Sequence, residues 1–195
     1  MSIEIEEIGI ESLSRYAEIP ISFPVESVFH VATIDAGLGG FSIIEKKVTP
    51  YTKNYDNQGD DLDAPSGWSR KFDVSKWGFF LAIDKPLAAG GATVAINSPN
   101  VNMLEHRKDL AVLWDIRVRP EKRRSGIGSK LFKYAAEWAR QKGCRQLKIE
   151  TQNVNVPACR FYAKQGCELG AIHRYGYANS PEVAHEAMFL WYLEL

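Results

Sequence analysis

At 195 residues, with 45% hydrophobic and 25% charged side chains, the chain has the size and composition of one globular domain with a sizeable core. Its formal net charge of +0 gives no support to nucleic-acid or membrane-surface binding, and no apolar run reaches the roughly 18 residues that span a bilayer. The acidic, alternating start "MSIEIEEIGIES" is unlike a secretory leader. Cys144, Cys159 and Cys167 lack metal-site spacing and fit a reduced, cytoplasmic setting.

Ile3 and Ile5 alternate with Glu4 and Glu6, which predicts a half-buried first strand. A short helix is expected over 10–17, ended near Pro20. Within 25–48, "SVFHVATID" and "FSIIEKKV" are β-rich, and Gly37, Gly39 and Gly40 between them predict a hairpin. Residues 50–70 are polar and aspartate-rich and read as a long loop. "WGFFLAID" (77–84) and "GATVAIN" (91–97) are predicted strands joined by a turn at Lys85–Pro86, and 98–108 is a polar loop. "LAVLWDIRV" (110–118) is apolar enough for a central strand, stopped by Pro120. A helix is expected from near Gly126 to Gly143, with Ile127, Leu131, Tyr134, Ala135 and Trp138 on one face. "QLKIET" (146–151) is a strand. A second helix over about 156–164 has Asn155 as its cap, Pro157 in its first turn and Gly166 after its end. "CELGAIH" and "HEAMFLWYLEL" supply two last strands. The fold class is α/β or α+β, in one domain.

Zero net charge hides a local asymmetry. "NYDNQGDDLD" (54–63) has four aspartates and no cation, whereas "RVRPEKRRSGIGSK" (117–130) has six cations and one glutamate. One anionic and one cationic ligand would suit such a pair. The basic stretch joins a strand to a helix N-terminus, whose free N–H groups and partial positive charge favour an anion. Gly126 and Gly128 lack β-carbons, so a phosphate can approach the backbone, while Arg123, Arg124 and Lys130 add charge. The turn ends Gly-Ser-Lys, unlike a Walker loop, and Leu131 stands where a dinucleotide fingerprint needs a third small residue. His30, His106, His173 and His185 are isolated, so no metal is expected.

"DIRVRPEKRRSGIGSKL" resembles the acetyl-CoA motif of the GNAT superfamily of N-acetyltransferases. The pattern Arg/Gln-x-x-Gly-x-Gly/Ala is matched by Arg123, Gly126 and Gly128 after a strand carrying Ile116, Val118 and then Pro120. "ETQNVNVPACRFYAKQGCELG" is similar to the family's second signature through Asn155, Ala158, Phe161–Tyr162 and Gly166–Cys167, with cysteine at 167 in place of the usual phenylalanine. The resemblance covers 77–195. It implies a mixed, mostly antiparallel sheet with a splayed parallel strand pair, flanked by helices. An acetyl-CoA core would span 77–195, with a variable acceptor-side region over 1–76.

The resemblance further implies that Arg123, Arg124, Ser125, Gly126, Ile127, Gly128 and Ser129 hold the pyrophosphate. Ile116, Arg117 and Val118 would pair with pantetheine amides, and Asn155, Ala158 and Tyr162 would line the cofactor. Tyr162 is the implied acid for the departing thiolate; a phenol of ordinary pKa is protonated at neutral pH, as an acid must be. Glu150 and Asp115 are the candidate bases, and a glutamate spaced like Glu150 acts so in ribosomal-protein alanine acetyltransferases. A covalent route through Cys159 lacks a paired base. "TPYTKNYD" (49–56) and "YANSPEVAHEAMFLWYLEL" (177–195) resemble streptothricin acetyltransferases, which implies a small cationic amine acceptor met by Tyr51, Asp56, Asp60, Asp61, Asp63 and Glu186. Transfer to protein N-termini or lysines and a non-catalytic acetyl-CoA-binding module are the alternatives. The extra hairpin is a candidate homodimer contact.

Overall fold

The structure, a computed structural model, describes residues 3–57, 64–85 and 87–195. In chain order its elements are β1 (Glu4–Ile8), α1 (Leu13–Ala17), β2 (Phe23–Thr33), β3 (Phe41–Lys53), α2 (Trp68–Lys71), β4 (Gly78–Asp84), β5 (Leu87–Ala95), β6 (Leu110–Val118), α3 (Ile127–Gln141), β7 (Gln146–Gln152), α4 (Val156–Lys164), β8 (Glu168–His173) and β9 (Met188–Glu194). Two compact units emerge. One takes the described residues within Met1–Phe23, Asn54–Ile149 and Leu193–Leu195; the other takes Pro24–Lys53 and Glu150–Tyr192.

In the first unit β1, β4, β5 and β6 run antiparallel to their neighbours in that order, and β7 pairs parallel with β6. β4 shows why these strands are almost wholly apolar: both of its faces are covered. Phe79, Leu81 and Ile83 face a cluster with Leu13, Tyr16, Ile19, Trp68 and Trp77. Phe80, on the other face, meets Trp138 of α3 edge-on at 5.6 Å. α3 buries Ile127, Leu131, Ala135 and Trp138 as its periodicity requires, whereas Tyr134 stays at the rim, 38% exposed and in edge contact with Phe80.

β6 carries the feature that matters most for a site. Its register with β5 shifts between Thr93–Asp115 and Val94–Leu113, so Trp114 is an extra, bulged residue. The parallel ladder to β7 pairs Leu110–Leu113 with Gln146–Ile149 and ends at that bulge, while β6 runs on to Val118.

In the second unit β2 and β3 form the expected hairpin, closed by Ile34 N–H to Gly40 O at 3.0 Å. β8 and β9 pair antiparallel. Asn153 donates its side-chain amide to Phe29 O and accepts from Ala187 N–H, both at 2.8 Å. α4 is capped by Asn155, whose Oδ1 accepts from Ala158 N–H at 3.2 Å.

The expected loop over 50–70 is shortened at both ends. β3 continues through Pro50 to Lys53; a two-stranded ribbon has free edges where the missing N–H of proline costs nothing. α2 forms because Trp68 is buried against Tyr16, Trp77 and Phe79. β5 starts four residues earlier than its apolar pattern suggested, because small residues extend it: a β-carbon on Gly91 would lie 2.5 Å from the Tyr16 ring.

Candidate active site

The turn entering α3 joins an open glycine to a helix start with no side-chain cap. Gly126, at the N-cap, has φ 87°, which glycine adopts without strain, and a β-carbon there would meet nothing within 4 Å. No side chain caps the helix, in contrast to α4, and no acidic residue lies in its first turn. The first-turn N–H groups of a helix have no intrahelical acceptors. Ser125, outside the helix, donates its hydroxyl to Lys122 O at 2.6 Å.

The cations around this turn are more occupied than their sequence suggests. Arg119 donates to Ala88 O at 2.7 Å, and Lys122 pairs with Asp84 at 2.6 Å. Arg123 turns back to Val118 O (3.0 Å) and Ser22 O (2.6 Å), and burial lowers its pKa from the ordinary arginine value. Its guanidinium therefore braces the loop between β6 and α3. Arg124 and Lys130 remain exposed beside the turn.

Arg117 is buried, 5% exposed, and anchors a network within the first unit. It grips Asp115 with two hydrogen bonds (2.9 and 2.7 Å) and reaches Asp56 (3.0 Å) and Ile19 O (2.9 Å). Burial pulls the Arg117 pKa down, but the Asp115 charge and hydrogen bonds more than offset this, so it stands well above the ordinary value. Tyr16 donates to Asp115 at 2.6 Å; burial first, then the Asp115 charge, raise its pKa well above that of a free phenol. Asp115, a candidate base, is thus held by two partners. Asp56, a candidate acceptor ligand, is held by Arg117 and by Ile21 N–H at 3.3 Å. Asp60, Asp61 and Asp63 lie outside the described residues.

The other candidates belong to the second unit. Glu150 is half-buried and accepts a hydrogen bond from the Tyr177 hydroxyl at 2.7 Å. Strand alternation sets Glu150 opposite to Ile149 and Thr151. Thr151 Oγ1 lies 3.5 Å from Cys159 Sγ of α4 and accepts from Trp191 Nε1 at 3.0 Å. Tyr162 is buried in α4, with its ring edge-on to Phe161 at 5.3 Å. Ala158 N–H serves the α4 cap. Burial pushes the Cys159 thiol up to about 11. Glu186 is 3% exposed and paired with Lys53, so its charge is answered inside the protein; its Oε2 has no hydrogen-bond partner among the described residues. Tyr51, two residues before Lys53 on β3, is 43% exposed; burial and the nearby Glu186 charge raise its pKa. Among the described residues no group of His, Cys, Asp and Glu could hold a metal ion.

Sequence reasoning missed Tyr16, Lys53 and Tyr177. Lys53 and Tyr177 lie in stretches already singled out, but nothing local marks a lysine as the partner of a glutamate 133 positions away.

A mixed sheet with one parallel strand pair, a bulged strand and a helix without a side-chain cap matches the fold that the GNAT resemblance implied. Residues 42–167 match the acetyltransferase (GNAT) family, and the chain belongs to that family as an acetyl-CoA-dependent N-acetyltransferase. It is 33% identical to the streptothricin acetyltransferase of Escherichia coli over 93% of this chain and 91% of that one. It is 30% identical to the streptothricin acetyltransferase of Streptomyces lavendulae over 84% and 82%. Among solved structures, a candidate streptothricin acetyltransferase of Bacillus anthracis in complex with acetyl coenzyme A has a TM-score of 0.75 at 24% identity, over 100% of this chain and 98% of that one. Nourseothricin acetyltransferase gives the same TM-score and identity, over 100% and 99%.

Proposed function

We propose that the enzyme transfers the acetyl group of acetyl-CoA to a primary amine of a small cationic molecule of the streptothricin type, by direct attack in a ternary complex. The observation that carries the acceptor is the 33% identity to a streptothricin acetyltransferase along nearly the whole of both chains. The acidic run over 54–63 fits a cationic acceptor, and the exposed ring of Tyr51 offers a face to an ammonium group.

On the donor side, backbone N–H groups at Ile127, Gly128 and Ser129 and the open turn at Gly126 hold the pyrophosphate, with Arg124 and Lys130 beside it. The backbone of Ile116–Val118, beyond the end of the β6–β7 ladder, pairs with the pantetheine amides as an added strand would. Arg123 shapes this turn through Val118 O and Ser22 O.

Glu150 takes a proton from the acceptor ammonium, leaving a neutral amine. The amine nitrogen attacks the thioester carbonyl carbon, and the carbon–sulfur bond breaks as the tetrahedral species collapses. Tyr162 gives its proton to the departing thiolate, the surplus proton on the new amide nitrogen restores the phenol, and Glu150 releases its proton to solvent. Asp115 is assigned to structure because Arg117 and Tyr16 occupy its carboxylate. Protein N-terminal acetylation is the second reading, favoured by the twelve-residue spacing of Glu150 and Tyr162.

Initial-rate kinetics and one variant test the mechanism. Intersecting patterns for the two substrates are expected, and Tyr162→Phe lowers kcat by about a hundredfold with acetyl-CoA affinity unchanged. Parallel patterns, or full turnover in Tyr162→Phe, contradict it.

A further inference from the structure

We infer that Tyr177, in the segment joining β8 to β9, is the positioning residue for the base Glu150. The inference rests on the reading of Glu150 as base. The hydroxyl donates to Glu150 Oε1 at 2.7 Å, the usual length of a well-formed hydroxyl hydrogen bond. A glutamate side chain has three rotatable bonds, so a bond to one carboxylate oxygen narrows the orientations it can take. With Oε1 engaged by the phenol, the carboxylate is held in one orientation toward the acceptor ammonium.

The hydroxyl can impose an orientation because its own backbone is fixed on both sides. Gly176 sits against His173 and Met188 so closely that a β-carbon would lie 2.8 Å from His173 Nδ1 and 2.9 Å from Met188 Cβ. Successive turns follow, with Ala178 N–H to Tyr175 O at 3.1 Å and Ser180 N–H to Tyr177 O at 2.9 Å. At its far end the segment is tied to the chain just after Glu150. Ala187 exchanges two hydrogen bonds with Asn153, at 2.8 and 2.9 Å, and Glu186 is paired with Lys53. Tyr177 therefore lies in locally hydrogen-bonded turns, and its ring is half-buried.

The experiment is a double-mutant cycle on the full chain, with streptothricin and acetyl-CoA as substrates and acetyl-CoA affinity measured for each variant. Tyr177→Phe keeps the ring and removes only the donor. Expected are a roughly tenfold fall in kcat, an unchanged KM for acetyl-CoA, and no further fall when the change is made in Glu150→Gln, which alone loses about a hundredfold. If Glu150→Gln is crippled but Tyr177→Phe turns over like the parent, the positioning role is wrong and the base reading stands. An equal loss from Tyr177→Phe in both backgrounds also overturns the positioning role, because the hydroxyl then acts elsewhere. If Glu150→Gln retains full rate, the base reading itself fails and the inference falls with it.

Discussion

Arg117→Leu is the most informative change in the first unit. The substitution leaves the Asp115 carboxylate, 7% exposed, with Tyr16 as its remaining side-chain partner among the described residues, and strips a donor from Ile19 O. Breaking a buried ion pair on one side costs about 3–5 kcal/mol, since the surviving charge stays desolvated. For a chain of this size that is a fall of roughly 10 °C in melting temperature, and the urea midpoint falls with it. Replacing both partners, as Arg117→Leu with Asp115→Leu, removes the stranded charge and recovers much of the loss, so the two changes are strongly non-additive. Equilibrium unfolding in urea of the parent, the singles and the double measures this. A loss under about 1 kcal/mol for Arg117→Leu, or simple additivity, refutes the reasoning. Asp115→Asn separates structure from chemistry: a structural Asp115 loses stability, whereas a base loses kcat in a protein that melts normally.

Gly126→Ala places a non-glycine residue at φ 87°, so stability falls by about 1 kcal/mol and acetyl-CoA binding weakens; calorimetry showing parental affinity counts against the backbone phosphate cradle. Cys159 and Cys167, pushed up to about 11 by burial, stay protonated at pH 8 and react with a thiol reagent only on unfolding; rapid labelling of the native protein contradicts this. Their raised values stabilise the fold below the ordinary thiol pKa of about 9, and that contribution is lost as pH rises toward 11, so unfolding free energy declines on the alkaline side.

Periodicity made much of the fold legible. β6, α4 and the start of α3 lie where alternation, apolar spacing and the residues Asn155 and Gly126 put them. What stayed hidden depends on partners distant in sequence. The bulge at Trp114 is defined only against β5, and α2 exists because Trp68 finds an aromatic cluster. Of the basic stretch, Arg123, Arg124 and Lys130 read as the phosphate's cations, yet Arg123 bonds to its own chain, as do Arg117, Arg119 and Lys122. Composition reports that a charge is present, whereas its availability depends on which carbonyl or carboxylate the fold brings within reach. Glu186 and Asp56 teach the same lesson from the acidic side, each carrying a cation already.

The measurement that tests the account most directly presents streptothricin and an alanine-terminated peptide together to the enzyme with acetyl-CoA, and follows both by mass spectrometry as coenzyme A is released. The account predicts that streptothricin gains one acetyl group on an amine while the peptide is unchanged. Acetylation of the peptide with streptothricin untouched, or binding of acetyl-CoA without release of thiol across both, contradicts it.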